Sequence, residues 1–508
     1  VLKRRNVNAR PTEYRRKTTE ALRIASGEAI LFKPASSGTD TTQKKNIFES
    51  EFGAEKTDSA SLGRMYPGIR NDSELSVLDK AKRFDYKLKF GVDQLTGSLF
   101  NNDVLGTRYQ KFTGSLPVNL NNGAFNGLLS VSIFDILEDF RFTGMVRSPL
   151  ISTAGSGVPV NIGQENIFYP GTQSLLNSGS EYLARFDYLK RRIDFSAIYY
   201  RKTDVGSTGE DYSAKLFTNL WQGVMKYPFD RVKSVRLSVG VRTDKVVLKW
   251  SDNPITITTP DNKQTFGLMR AEYVYDNTVA KATNILNGLR YKFFIDYNTQ
   301  VSKLGTEDGR NSFNFGFDGR YYYPIYRNFI WAGRAAADFS WGNQKIIYYL
   351  GGVDGALFPK YSRVPTPQDP DYAFQSLAVN MRAFPQNVAN GNNALVMNSE
   401  FRLPVFATLF NKPINNAFLR NFQVIQFFDL GSAWNGKYSK IERPQVVYQG
   451  NPVEVLIKAG GIGPFVGGYG FGVRSTLFGY FLRLDSGWEM NGFFRGKPML
   501  HFSMGVDF

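Results

Sequence analysis

The strongest constraint on the fold of this chain is an alternation of apolar and polar residues that recurs from Phe84 to the C-terminus. At the end of the chain, Leu500, Phe502, Met504, Val506 and Phe508 alternate with His501, Ser503, Gly505 and Asp507. Upstream, Leu482, Leu484 and Trp488 are set against Arg483, Asp485 and Gly487, and Tyr469, Phe471 and Val473 against Gly470, Gly472 and Arg474. The same scheme sets Val235, Leu237, Val239 and Val241 against Arg236, Ser238, Gly240 and Arg242. Likewise Leu289, Tyr291, Phe293 and Ile295 oppose Arg290, Lys292 and Asp296. A period of two is that of a β-strand with unlike faces. In a soluble sheet the polar face meets water and is rich in Lys, Glu and Thr. Here it carries mainly Arg, Asp, Gly, Ser and Asn, while the apolar face is aromatic, in a chain with 27 Tyr, 42 Phe and 48 Gly. That pattern fits lipid outside and a polar lumen inside.

No stretch approaches the ~18–20 apolar residues of a membrane helix, whereas a membrane-crossing strand needs only ~9–11. A bilayer also requires every backbone group to be paired, which a closed barrel satisfies and an open sheet does not. Sixteen strands are expected, starting near residues 84, 124, 139, 181, 192, 214, 232, 265, 288, 312, 328, 394, 421, 468, 479 and 499. Short turns such as Lys190-Arg191-Arg192 and Tyr227-Pro228-Phe229-Asp230 follow every second strand. Long loops fill most other gaps, including 149–180, 344–393 and 435–467. Short periplasmic turns and long outer loops are the outer-membrane pattern. The fold expected is all-β: a sixteen-stranded antiparallel transmembrane β-barrel over 84–508, with both ends in the periplasm.

Residues 1–83 differ. They hold 17 Lys/Arg against 11 Asp/Glu, a net +6 of the chain's +17, with few aromatics and polar runs such as Ser36-Ser37-Gly38-Thr39. A short helix is expected over 18–25, within a basic periplasmic extension suited to an acidic partner or anionic lipid headgroups. With no initiator Met and no signal-peptide core, the chain reads as a mature or truncated piece of something longer. Zero Cys and one His exclude disulfide scaffolds, thiolate zinc sites and Cys nucleophiles.

The last third carries motifs. Asn398-Ser399-Glu400-Phe401-Arg402-Leu403-Pro404 resembles the E-(Y/F)-R-x-P strand of the bacterial surface antigen family, the BamA/TamA-type insertases and translocases of the outer membrane. Phe427-Phe428-Asp429-Leu430-Gly431 matches that family's F-x-D-x-G. The run from Gly468 to Trp488, with Arg474, Arg483 and Asp485, looks like its closing hairpin, and the ending with Phe502 and Phe508 resembles its terminal β-signal. The resemblance implies a long loop after the eleventh strand that folds into the lumen and carries V-R-G-(F/Y). Met381-Arg382-Ala383-Phe384 is the best match, with Met for Val and Ala for Gly. Ala resists a positive φ, so a differently shaped loop tip is expected. The alternative, Gly351 to Phe358, has the Gly-Gly lead-in but Asp354 where Arg belongs. A physical reason favours Arg382: Glu400 and Asp429 lie on polar-facing positions of adjacent strands, and one guanidinium fork can bond to both. The segments 135–147, 181–202 and 227–242 look like barrels of Bacteroidota surface-antigen proteins, in which a periplasmic TolB-like propeller often precedes the barrel.

The function this implies is insertion or translocation of proteins at the outer membrane of a Gram-negative bacterium. Client proteins, membrane lipid, and periplasmic or lipoprotein partners are expected, with a seam between the first and last strands (near 84–94 and 499–508). Gly505 and the small Ser503 suit a loose seam. A passive porin or a structural surface barrel would share the fold. Enzyme chemistry is not expected: His501 reads as a lumen histidine without a Ser partner, and the glycine run at 467–472 lies in an alternating strand with no helix after it. No cofactor, no metal (the loops lack EF-hand spacing) and no nucleic acid are expected.

Overall fold

The structure, a computed structural model, describes residues 87–98, 109–112, 125–151, 180–207, 212–250, 260–303, 309–356, 360, 362, 364, 372–378, 381–410, 413–437, 443–449, 454–477 and 479–507. The expected basic extension and its helix, and the terminal Phe508, lie outside the described residues. The chain divides into two units, Val1–Lys89 and Phe90–Phe508, and every described strand belongs to the second.

Strand β1 (Phe90–Ser98) is followed by the two-residue β2 (Gln110–Lys111), then by β3 (Phe125–Asp135), β4 (Phe140–Ile151) and β5 (Glu181–Tyr188). Next come β6 (Asp194–Ser207), β7 (Tyr212–Pro228), β8 (Lys233–Trp250), β9 (Asn262–Asp276) and the short β10 (Val279–Ala282). Three long strands succeed them: β11 (Ile285–Gln300), β12 (Asn311–Tyr326) and β13 (Phe329–Gly342). The next connection holds β14 (Lys345–Leu350), β15 (Tyr372–Ala378) and β16 (Ala389–Gly391) before β17 (Asn393–Pro404). Two short helices, α1 (Val405–Leu409) and α2 (Ala417–Arg420), lead to β18 (Gln423–Trp434). The chain ends with β19 (Gln445–Gln449), β20 (Glu454–Lys458), β21 (Gly461–Ile462), β22 (Phe465–Leu477), β23 (Tyr480–Glu489) and β24 (Met499–Met504).

The main sheet has eighteen strands. β1 pairs with β3, and antiparallel neighbours then follow in chain order through β9. From β9 the order continues through β11, β12, β13, β17, β18, β22, β23 and β24. The short β10 and β21 join β11 and β22. From β3 onward the strand starts lie within three residues of those expected, 181 and 499 coinciding with β5 and β24; the first, expected near 84, lies outside the described residues, and β1 begins at Phe90. What periodicity did not reveal is a second sheet, ordered β16-β14-β15-β2, inside segments read as loops.

The faces are inverted relative to a soluble protein. On β8, Val235, Leu237, Val239 and Val241 are exposed while Ser234, Ser238, Arg242 and Asp244 are buried. On β11, Phe293 and Ile295 are exposed while Asp296, Asn298 and Gln300 are buried. Cross-strand register stacks outward rings into ladders, with centroids 4.8 Å apart for Phe293–Phe317 and 4.4 Å for Tyr199–Trp221. Such pairs favour this register in any apolar surroundings. A sheet with its polar side chains buried and its aromatic ones exposed minimises free energy only where the outer medium is apolar. Among the described residues no helix is long and apolar enough to cross a membrane.

The second sheet lies against the polar face. Ile346, Tyr348, Leu350, Phe374, Met381, Phe384 and Val388 form one apolar cluster with Phe266, Val396 and Val466 of the main sheet. The last strand corrects one expectation. Its outward series was expected to run through Met504 to Phe508, yet Met504 is buried, and Gly505 takes a φ of +112°. The chain there turns off the strand, and Asp507 ends up buried.

Candidate functional site

The connection from β13 to β17 returns to the polar face through a glycine-dependent turn. Gly351 and Gly352 have φ of +105° and +79°, a region where side chains are strained. Met381 donates its N–H to the Gly352 carbonyl at 3.1 Å, Gly352 to that of Phe384 at 3.2 Å, and Phe384 to that of Met381 at 3.1 Å. The Gly-Gly lead-in and the Met381–Phe384 tip are thus two sides of one folded loop. Ala383 is not among the residues with positive φ, so the tip turns here without a left-handed residue at that position.

That turn directs Arg382 at the sheet. Its Nε and Nη2 donate to Asp429 Oδ2 and Oδ1 at 2.9 and 2.6 Å, and its own backbone N–H to Oδ2 at 3.0 Å. Nη1 donates to Glu400 Oε1. The guanidinium also lies over the Phe427 ring, 4.0 Å from its centroid, where the ring face attracts a cation. Asp429 accepts a further bond from Asn398 Nδ2 at 2.8 Å. Burial works against the Arg382 charge, but Asp429 and then Glu400 outweigh it and hold the guanidinium pKa above its ordinary value. One side chain from the loop therefore bonds to β17 and β18 at once.

The contact continues into a chain of charges. Glu400 Oε2 accepts from Arg402 Nε at 2.7 Å, and Arg402 Nη1 donates to the Asn284 carbonyl at 3.1 Å. Asn284 Nδ2 donates to Asp507 Oδ2 at 2.8 Å, and Asp507 N–H to Asn284 Oδ1 at 3.0 Å. Arg474 then bridges Asp507 Oδ2 (2.9 Å from Nε) and Asp485 Oδ1 (2.7 Å from Nη2). Arg483 Nη1 lies 3.4 Å from Asp507 Oδ1, and its Nη2 donates to the Asp354 carbonyl. Arg474, Arg483 and Arg402 overcome the burial of Asp507 and hold its carboxyl well below the usual range. Pairing of this kind offsets the cost of burying the charges.

Of the remaining sequence candidates, Gly431 lets the loop approach: a Cβ there would sit 3.1 Å from the Met381 sulfur and 2.9 Å from Leu350 Cδ1. Gly468 and Gly487 do the same opposite Ala383. A Cβ on Gly487 would lie 2.6 Å from the Arg382 carbonyl oxygen, and one on Gly468 would collide with the Ala383 methyl. Phe502 faces outward. Phe508 lies outside the described residues.

Sequence reasoning missed Asn284 and Asp507. Asn284 occupies a left-handed turn position (φ +63°), which Asn tolerates; what makes the position matter are partners far along the chain, Arg402, Gln423 and Asp507. It also missed the anchoring of β2 by the residue before it. The Tyr109 hydroxyl donates to Asp296 at 2.7 Å, and the Tyr109 carbonyl accepts from Arg242 at 2.5 Å. His501 and Ser503 share the buried face of β24, opposite Asp485 and Arg483. Among the described residues, His501 Nε2 and Ser503 Oγ have no hydrogen-bond partner. Among the described residues no cluster of His, Asp and Glu converges as metal ligands would.

No family model and no curated protein matches this chain. Among solved structures, it is similar to BamA from Haemophilus ducreyi lacking POTRA domains 1–3, at 11% identity and a TM-score of 0.44, over 82% of this chain and 70% of that one. It is also similar to CdiB from Acinetobacter baumannii, at 12% identity and a TM-score of 0.42, over 82% and 65%. CdiB from Escherichia coli gives 10% identity and a TM-score of 0.39, over 88% and 74%.

Proposed function

We propose that the chain is an outer-membrane β-barrel of the insertase and translocase type, which helps proteins enter or cross the outer membrane. On this reading, the long strands other than β10 and β21 close as a sixteen-stranded barrel with its polar face as lumen. The second sheet and the Arg382 loop fill that lumen, and β1 and β24 meet at a seam where client strands pair or pass. The exposed aromatic face supports the membrane setting, since only a bilayer rewards that polarity. The observation that carries the functional reading is the placement of Arg382 between Asp429 and Glu400. These residues belong to the two strands that resemble the surface antigen family most closely, and the loop tip is where that family's arginine motif is expected. The role is non-enzymatic and needs no cofactor. Partners are outer-membrane lipid, client proteins, and periplasmic or lipoprotein subunits acting on the basic N-terminal segment.

Two experiments test this. Arg382→Ala should weaken the mobility difference between unheated and boiled samples on gels and reduce client insertion in reconstituted vesicles; wild-type behaviour in both would sink the loop-lock role. Tethering β1 to β24 with paired cysteines, in a chain that has none of its own, should block client insertion. Full activity of the tethered protein would rule out lateral opening. A passive channel predicts steady conductance of the purified protein instead, and a structural barrel predicts normal levels of other outer-membrane proteins after depletion.

A further inference from the structure

The polar face of the main sheet carries more positive charge at one place than its carboxylates take up. Register sets Arg290 of β11 directly opposite Arg320 of β12, and Arg320 directly opposite Arg334 of β13. All three fall on the polar face, in step with the buried Asp296, Asp318 and Asp338 of the same strands. Like charges directly opposite one another destabilise a ladder, so this row needs counter-charge. Asp318 supplies one, accepting from Arg320 Nε and Nη2 at 2.8 and 2.9 Å and from Arg334 Nη2 at 3.1 Å. Lys292, opposite Asp318 in the register, adds a fourth cation. Asp276 stands opposite Arg290, but its Oδ1 accepts from the Thr278 N–H and hydroxyl at 3.0 and 2.6 Å. Glu400, two strands from β12, is held by Arg382 and Arg402. Four cations therefore share two carboxylates, and among the described residues Arg290 makes no ion pair or hydrogen bond. Two further donors adjoin it. Asp318 leaves Arg320 Nη1 unused. Tyr322, the next residue of β12 on the same face, is wholly buried. Its hydroxyl lies within electrostatic reach of Arg290 and Arg320, yet makes no hydrogen bond of ordinary length and angle among the described residues. A buried hydroxyl left so has a desolvation cost that a bound acceptor removes.

We propose that Arg290, the Nη1 of Arg320 and the Tyr322 hydroxyl form a binding site for phosphate or a phosphate monoester on the polar face of β11 and β12. Guanidinium forks match phosphate oxygens in pairs, and the phenol donates one more bond without adding charge. The surplus of two positive charges in the row is close to the charge of a phosphate monoester at neutral pH, about −1.5 to −2. A carboxylate would satisfy one fork and leave half of that surplus unmet. Arg290 and Arg320 are half-buried rather than buried, so an ion can reach them from solvent. Once bound, it ties β11 to β12 at the pair where their own side chains repel. The inference goes beyond the client-handling reading and does not depend on it, since it needs only a polar face that meets water.

The test is a calorimetric titration of the purified full chain, in a sugar detergent free of phosphate, with inorganic phosphate at constant ionic strength and chloride as the balancing anion. Saturable binding is expected, with an unfolding midpoint that rises with phosphate concentration. Arg290→Gln should weaken binding about tenfold or more, the worth of one charge-assisted hydrogen bond, and Tyr322→Phe several-fold. Without phosphate, Arg290→Gln should leave the unfolding midpoint unchanged or raise it, because it relieves the repulsion by Arg320. That readout separates a ligand site from a residue that merely holds the sheet. Glycerol phosphate, a soluble monoester, distinguishes the sources. Tighter binding than inorganic phosphate supports the site as one for a phosphate carried on a larger molecule, such as a lipid headgroup, and weaker binding supports it as one for the free ion. A wild-type protein that shows no saturable phosphate binding overturns the proposal. So does Arg290→Gln or Tyr322→Phe protein that folds and binds phosphate as the wild type does. An Arg290→Gln protein with a lowered midpoint and undiminished binding would assign Arg290 to the fold instead.

Discussion

At the scale of single residues, what matters is how each buried charge is compensated. Arg382→Ala leaves Asp429 buried without its cation and Glu400 with Arg402 alone, a change that costs about 3–5 kcal/mol in comparable sites, and chemical denaturation should register it. Arg382→Lys keeps the charge but loses the fork that serves two carboxylates, so it should fall between Ala and wild type. Lys111 is the opposite case. It is 8% exposed, its ammonium has no hydrogen-bond partner among the described residues, and burial pulls its pKa below the ordinary value. Lys111→Met should therefore be neutral or stabilising by up to about 2 kcal/mol, and a lowered unfolding midpoint would show that the charge has a role. Asp507 gives a pH dependence with a definite sign. Its carboxyl is held below the usual range, so its contribution is complete above the unfolded value near 3.9 and is lost as pH falls through the lower folded value. Unfolding measured from pH 7 down to about 4 should not show loss of the Asp507 anchor; a loss already at pH 5 would contradict the pairing with Arg474. The alternation and the motifs made Arg382, Glu400 and Asp429 visible as candidates in sequence. Asn284 and Asp507 were not, because they take their significance from each other across 223 positions and from Arg402, Gln423 and Arg474, which only the fold brings together.

Elements divide into those written in local pattern and those that are not. The long strands were legible because each repeats the same two-residue period over six or more positions, and one face of every strand is fixed by the medium it meets. The second sheet escaped notice because β2 has two residues and β16 three, too few for a period to register, and because its β14 is buried nearly throughout and so shows no alternation. Its contact with the main sheet depends on missing side chains instead. Gly468→Val should push the Ala383 tip off β22, since even a Cβ there collides with the Ala383 methyl. We expect a loss of several kcal/mol and release of the loop to protease. Pairing Gly468→Ala with Ala383→Gly should recover much of it, and failure of that rescue would show that the two positions do not act on each other.

For the molecule as a whole, the inverted faces explain why composition was so informative: the aromatic excess that suggested strands is found largely as outward rings joined across neighbouring strands. The net charge was less informative, because several arginines of the main sheet are committed to buried carboxylates, as Arg242 is to Asp244 at 2.9 Å. The second sheet bears on time as well as stability. Its β2 meets β15 through Gln110 and Gln375, which stand far apart in the sequence and have no local contact to bring them together. Loop-closure entropy makes such a pairing late. Hairpins form between chain neighbours first, and the interior is filled only afterwards. On the proposed closure of the main sheet into a barrel, a newly assembled molecule would pass through a hollow stage, open from one side to the other. In a planar bilayer this should register as a brief burst of ionic current that dies away as the sheet seats.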